Sequence, residues 1–250
     1  MDALQEILSS FNPISLEETE CVKLMNRTET KYTFLRGQLC DFLQQISKDY
    51  KVLEINNNRA NPYQSLYFDT PTYQLYLLHH NNRENRYKIR YRHYTSSGDC
   101  FFEIKHKTNK NRTEKNRVET SCIKEYIEDT GLDLIKTNTT IDASKLIPSL
   151  WVYFSRITLV NNNLRERLTI DVDISFKKNG KVISYPEIAI AEVKQDSFCH
   201  SKFDLMMKNN YVRTKSISKY CFGLISTKEN IKMNNFKHNL MIIKKLYNEN

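Results

Sequence analysis

The sequence predicts an α+β protein: about eight antiparallel strands forming a β-barrel with a polar, basic lumen, sheathed by helices. Three observations carry that prediction. Charged residues recur at every second position in six short segments. These are Arg27-x-Glu29-x-Lys31, Lys88-x-Arg90-x-Arg92, Glu103-x-Lys105-x-Lys107, Lys115-x-Arg117-x-Glu119, Arg165-x-Arg167-x-Thr169-x-Asp171-x-Asp173 and Glu192-x-Lys194-x-Asp196. The positions between are mostly apolar, as at Leu164, Leu168, Ile170, Val172 and Ile174, or Ala189, Ala191 and Val193. Stretches of helical periodicity fall among the strands. A period of two puts each charged set on one strand face. If those faces share an interior it must be hydrated, because dry burial of so many charges is prohibitive.

The elements follow in order. Leu4, Ile7, Leu8 and Phe11 repeat at helical spacing, so a short helix opens the chain over 1–11. A strand is predicted near 23–33, then a helix over 35–48 with Leu35, Leu39, Phe42, Leu43 and Ile46 on one side. A strand over Gln64–Phe68 ends at Asp69-Thr70-Pro71. Strands near 86–95, 100–108 and 113–121 read as a meander, the first pair joined at Ser96-Ser97-Gly98-Asp99. Residues 122–147 read as helical. Strands follow near 151–160, 164–177 and 187–195, with turns at Asn161-Asn162-Asn163 and Lys178-Asn179-Gly180-Lys181. From about 200 the chain reads as helical, and Phe236, Leu240, Ile243 and Tyr247 form one apolar face for packing on the body. No linker or repeat divides the 250 residues, so one domain over 1–250 is predicted.

The formal net charge of +9 favours an acidic partner. The six cysteines are dispersed without C-x-x-C or zinc spacing. The start Met1-Asp2-Ala3-Leu4-Gln5-Glu6 lacks the basic and apolar regions of a signal peptide, and no stretch has the length of a transmembrane helix. A reduced cytoplasmic protein is expected. An outer-membrane barrel shares the alternation, but the missing signal peptide, the intervening helices and the absence of aromatic girdles argue against it.

None of the glycines Gly37, Gly98, Gly131, Gly180 and Gly223 lies in a G-x-G-x-x-G or Walker pattern. A phosphate site must then be built from side chains, with Arg giving bidentate contacts and Lys point charges. Lys88, Arg90 and Arg92 with Arg165 and Arg167 are the natural candidates. Glu29, Glu103, Asp171, Asp173 and Glu192 are candidate ligands for Mg²⁺ or Mn²⁺, which need few protein carboxylates when phosphate oxygens complete the shell. Each is equally placed to balance a neighbouring base. Glu192, flanked by small apolar residues, ranks first. His79, His80, His93, His106, His200 and His238 fit no metal or triad spacing. Direct phosphoryl transfer needs no protein nucleophile, only positioning and neutralisation. Tyr87, Tyr91 and His93 fall on the face opposite Lys88, Arg90 and Arg92, where packing is expected rather than base stacking, so no nucleic-acid partner is predicted.

In chain order stand Asn26-Arg27-x-Glu29-x-Lys31-Tyr32, Tyr67-Phe68-Asp69-Thr70, Lys88-x-Arg90, Glu103-x-Lys105-x-Lys107, Arg156-Ile-Thr-Leu, Glu166-Arg167-Leu-Thr-Ile-Asp171, Ala191-Glu192-Val-Lys194 and Ser218-Lys219-Tyr220. From about residue 22 to 225 this series resembles the VTC-type polyphosphate polymerase domain in its stand-alone bacterial form. That family belongs to the triphosphate tunnel metalloenzymes, or CYTH-like proteins.

The resemblance implies an eight-stranded triphosphate tunnel. In it the terminal phosphoryl group of ATP passes to a growing polyphosphate chain, with Mn²⁺ or Mg²⁺ as cofactor and ATP, pyrophosphate and polyphosphate as ligands. It implies phosphate contacts from Lys31, Lys88, Arg90, Lys105, Arg117, Arg156, Arg167, Lys194 and Lys219, with Lys115 adjacent. Arg27, Arg92, Lys107 and Arg165 extend the basic set along the same strands. Glu192 matches the family's metal-binding glutamate, and Glu103 and Glu29 occupy further acidic positions. Lys31, Lys88, Arg90, Lys105, Arg167 and Glu192 are the expected catalytic group. The chain departs from the family at Phe154, where a Tyr is usual, and at Ser216, where the eukaryotic domain has Lys. A tunnel hydrolase of tripolyphosphate or nucleoside triphosphates, and a non-catalytic polyphosphate sensor, are the alternatives.

Overall fold

One sheet organises the molecule, and its registers follow the charge alternation of the sequence. The computed structural model describes residues 3–20, 28–110, 112–195, 201–215, 217–238, 240, 241 and 243. Along the chain come α1 (Ala3–Ser9), β1 (Asn12–Ile14), α2 (Leu16–Glu20), β2 (Thr28–Leu35), α3 (Leu39–Ile46), β3 (Tyr50–Leu53), β4 (Ala60–Asp69) and α4 (Gln74–His80). Then follow β5 (Arg86–Tyr94), β6 (Cys100–Lys107), β7 (Thr113–Thr120), α5 (Asp129–Asn138), β8 (Ile147–Asn161), β9 (Glu166–Lys178), β10 (Lys181–Tyr185), β11 (Ile188–Gln195), α6 (Lys202–Asn209) and α7 (Lys219–Thr227).

Eight strands run in the order β2-β11-β9-β8-β4-β5-β6-β7, every neighbour antiparallel. β10 and β3 flank β9 and β8, and β1 pairs parallel with β3. The sheet is strongly curled. The charges of Glu29 on β2 and Glu192 on β11 act on Lys105 of β6. Flat, β2 and β6 would stand six strand spacings apart, about 29 Å, beyond the reach of a screened charge. Among the described residues no pairing joins β2 to β7, so the expected barrel is not closed by hydrogen bonds there.

Helices cover the convex face. Leu4, Leu8, Leu39, Phe42, Leu43, Ile46, Phe203 and Met207 from α1, α3 and α6 bury Phe34, Ile157, Leu159, Leu168, Ile170, Ala191 and Val193 of the strands. Leu75 and Ile135 from α4 and α5 bury Leu66, Phe68, Ile89, Tyr91, Phe102 and Ile104. Tyr91 is fully buried and its hydroxyl accepts the backbone N–H of Glu128 at 3.2 Å, the packing role expected for that face.

The opposite, concave face is apolar at one end. Leu150, Val152, Phe154, Ile174, Phe176, Ile188 and Ile190 meet Tyr220, Cys221, Phe222 and Leu224 of α7 there. A Cβ on Gly223 would lie 2.5 Å from Phe176 Cδ1 and 2.6 Å from Leu150 Cδ2, so only glycine lets α7 sit this close. Phe236, Leu240 and Ile243 pack against the same cluster, as their spacing predicted, while Tyr247 lies outside the described residues.

Several boundaries differ from the sequence reading. Over 122–147 the only α-helix is α5, because Thr139 turns extended (ψ 166°) and its hydroxyl caps the Ile135 carbonyl. The helical region after 200 is split into α6 and α7. Leu164 and Arg165 belong to a turn, with Leu164 left-handed (φ 58°) and the Arg165 N–H held by Asn161 Oδ1. Asp173 sits at a register shift between β8 and β9, left-handed at φ 53° and exposed. That bulge removes it from the Arg167-Thr169-Asp171 row. Residues 23–27 of the first predicted strand, and Asp196, lie outside the described residues.

Candidate functional site

The wet end of the concave face is assembled by register. Lys31, Glu192, Thr169 and Thr158 line up across β2, β11, β9 and β8. Asp171, Arg156 and Asn61 line up across β9, β8 and β4. Tyr67, Arg90, Glu103 and Arg117 do so across β4 to β7, and Lys88, Lys105 and Lys115 across β5 to β7. Directly opposed residues share a face, so these rows project into one interior.

Three carboxylates there each bridge two cations. Glu103, 2% exposed, accepts Arg90 Nε at 2.9 Å and Nη2 at 2.7 Å, and Lys115 Nζ at 2.5 Å. Asp171, 3% exposed, accepts Arg156 Nε at 2.6 Å and Nη2 at 2.8 Å, and also takes Lys219. Glu192 accepts Lys194 Nζ at 3.0 Å and lies 3.5 Å from Lys31 Nζ. Lys31 also reaches Glu29 at 3.4 Å. The Glu103 and Asp171 bridges each leave one positive charge in excess, while Glu29 balances the second cation on Glu192.

Lys88 and Lys105 form no ion pair within 4 Å among the described residues. Burial, with the charge of Lys88 beside it, pushes Lys105 down to about 8 against the pull of Glu29 and Glu192. Burial also lowers Lys88, Lys194 and Lys219. The acids move the other way. Burial alone would raise Glu103, Asp171 and Glu192, but the cations on each outweigh it, bringing Asp171 to about 2 and the other two below the usual carboxylate range.

Of the remaining predicted residues, Arg92 is buried and donates from Nε to Ser65 Oγ at 3.2 Å. Arg167 faces Lys194 in register. Arg117 stands opposite Glu103 with its guanidinium 4.2 Å over the Phe101 ring. Lys107 is at the strand end, opposite Arg86 and Thr113. Arg165 is exposed in its turn and does not join the site. Arg27 and Ser216 lie outside the described residues. Phe154 packs beneath Arg156 and Lys219, at 5.2 and 4.7 Å from its ring, while Tyr153 stacks on Trp151.

Sequence reasoning missed the neutral groups. Thr33, Asn61 and Thr169 are at least nine-tenths buried, and the Asn61 amide and both threonine hydroxyls make no hydrogen bond. Thr33 stands two residues after Lys31 and Thr169 between Arg167 and Asp171, so the alternation put them on the charged face, but an uncharged side chain gave no sign of a role there.

Among the described residues no group of three or more His, Cys, Asp or Glu side chains is placed to hold a metal by itself. The oxygens of Glu103 and Asp171 are already taken by close cations. Glu192 is the more available acid: its side chain is 19% exposed, its contacts are the longest of the three, and the charge of Glu29 is felt beside it.

A family model described as the VTC domain matches residues 26–228, most of the chain. The protein belongs to the VTC domain family. The solved structures it resembles include a putative adenylate cyclase from Bacillus halodurans, 13% identical, covering 78% of this chain and 96% of that one at a TM-score of 0.50. The two share a fold. Another is a putative adenylyl cyclase from Hippeastrum described as having a dominant triphosphatase activity, 11% identical over 82% of this chain and 98% of that one, at a TM-score of 0.47. No curated protein matches the sequence. No helix among the described residues of this VTC domain is long and apolar enough to cross a membrane.

Proposed function

We propose that this VTC domain is a polyphosphate polymerase: it binds ATP by its triphosphate along the basic interior and passes the terminal phosphoryl group to a polyphosphate chain. The observation that carries this reading is the surplus of cations, Lys88 and Lys105 included, over Glu29, Glu103, Asp171 and Glu192, which suits a linear polyanion rather than one small ion. The curled interior acts as the tunnel, with α7 filling one end.

Arg156 and Arg90, each oriented by its carboxylate fork, supply directional contacts to phosphate oxygens. Lys88, Lys105, Lys31, Lys194, Arg167 and Lys219 neutralise the remaining charge, including that which builds on the transferring group. Glu192, with Glu29 near it, fits a hard divalent cation whose other ligands are phosphate oxygens. Mn²⁺ or Mg²⁺ there would draw charge from the phosphoryl oxygens. Glu103 serves as a counter-ion in this scheme.

The test is incubation of purified protein with ATP and Mn²⁺, with products resolved on a polyphosphate gel. Long chains are expected. Free phosphate without chains would make the enzyme a hydrolase, and no turnover would leave a sensor.

A further inference from the structure

The six buried tyrosines among the described residues divide by what their hydroxyls meet, and one of them, Tyr91, accepts the Glu128 N–H under the helices. Tyr32 donates to Asp204, Tyr50 to Glu166, Tyr76 to the Lys232 carbonyl and Tyr220 to Asp69. Burial, and for all but Tyr76 those acceptors, hold these four phenols above their ordinary range. Tyr67 is the reverse. It is 5% exposed, and its ring stacks on Tyr220 with centroids 4.8 Å apart at 19°. Its oxygen accepts Arg90 Nη1 at 2.6 Å, and the guanidinium carbon lies 5.4 Å from the ring centroid. No acceptor for its own proton occurs among the described residues. A buried donor without an acceptor is costly, and here the phenol stands in the row with Arg90 and Glu103 on the charged face.

We propose that Tyr67 is a phosphate contact of this site: Arg90 holds the phenol oxygen from one side, and the hydroxyl donates its proton to an oxygen of the bound phosphate chain. This rests on the phosphate reading above. The groups facing the phenol are Lys88, Arg90 and Arg92 from β5, Tyr220 from α7, and Glu103 from β6 acting through Arg90. Tyr220 is itself committed to Asp69. Burial would raise the Tyr67 phenol, but Arg90, Arg92 and Lys88 outweigh it and bring it down to about 8. An acidic phenol makes a stronger donor to an anion. Once ionised, it would present a negative charge to the phosphate instead. Ligand binding must therefore favour the protonated phenol and drive its ionisation to higher pH.

Lys105 titrates in the same range and also loses its charge as pH rises, so affinity against pH cannot separate the two. Tyrosinate ultraviolet absorbance can. The experiment titrates wild type and Tyr67→Phe from about pH 6.5 to 10, with and without saturating tripolyphosphate, and measures tripolyphosphate binding by calorimetry. Phe keeps the stack on Tyr220. Wild type should show one early tyrosinate near pH 8 that is missing in Tyr67→Phe and moves up by about one unit or more with ligand, the counterpart of a tenfold loss of affinity for the ionised form. Tyr67→Phe should bind about tenfold more weakly at pH 7, the scale of one hydrogen bond to a charged group. An early tyrosinate that persists in Tyr67→Phe, or that stays in place while calorimetry shows tripolyphosphate bound, overturns the proposal alone. No binding of tripolyphosphate to wild type overturns the phosphate reading and the proposal with it.

Discussion

Glu103→Gln tests whether the interior carboxylates are built as counter-ions. Glutamine keeps the shape but removes the charge that Arg90 approaches through two N–H groups at 2.9 and 2.7 Å, and turns an amide NH₂ toward one of the cations. Breaking one side of a buried pair costs about 3–5 kcal/mol. Arg90 keeps its contact to Tyr67, and Lys115 is 40% exposed and screened. The low end, about 3 kcal/mol, is therefore expected, which lowers the melting point by roughly 6–12 °C for a chain this size. The assay is calorimetric melting in phosphate-free buffer. Because the Glu103 carboxyl is depressed in the folded protein, its contribution is fully present above the unfolded value of about 4.3 and is lost as pH falls through the lower folded value. The gap between wild type and variant should thus be constant near neutrality and close in acid. Tripolyphosphate should narrow it too, since a bound anion replaces the missing charge. A variant that melts within about 2 °C of wild type, at most about one kcal/mol at this size, would refute the counter-ion argument.

Glu192→Gln should fold normally and lose nearly all metal-dependent turnover; near-wild-type rates at saturating Mn²⁺ would remove Glu192 as the metal ligand. Arg167→Ala should weaken tripolyphosphate binding by roughly 2–4 kcal/mol, read by calorimetry, whereas Lys237→Ala, an exposed position far along the chain, should change nothing; equal losses would mean that the anion site is diffuse surface charge. Gly223→Ala should destabilise by about 1–3 kcal/mol through overpacking against Phe176 and Leu150, and a melting point equal to wild type would show that α7 does not seat tightly on the sheet.

Much of this was legible because charge on a strand has a period. Lys88, Arg90, Arg92, Glu103, Lys105 and Glu192 all fall on the face that alternation assigned them. The failures share a cause: alternation holds only while the backbone stays regular. A single left-handed residue at Asp173 takes that carboxylate out of its row, and the Asn161–Arg165 turn does the same for Arg165. The seat of α7 was hidden for another reason. Tyr220, Cys221, Phe222, Gly223 and Leu224 are all buried in succession, so the helix has no polar stripe to show which face meets the sheet. Pairing partners were out of reach as well, since Glu103 and Arg90 lie thirteen positions apart and meet only once β5 and β6 are in register.

The shared-carboxylate pattern explains how such an interior can fold and still bind. An acid for every cation would leave no net charge to attract a polyanion, and every phosphate would have to break an ion pair of equal charge. With no acids, like charges a few ångströms apart would oppose the compact state. Here Arg90 and Lys115 share Glu103, Arg156 and Lys219 share Asp171, and Lys31 and Lys194 share Glu192. The fork geometry also fixes which donors remain. Asp171 takes Nε and Nη2 of Arg156, so the Nη1 protons stay directed elsewhere, as the planar guanidinium requires. The acids therefore do two things that free lysines could not: they limit repulsion in the empty protein, and they hold each arginine in one orientation before the ligand arrives. Preorganisation of that kind lowers the ordering cost of binding.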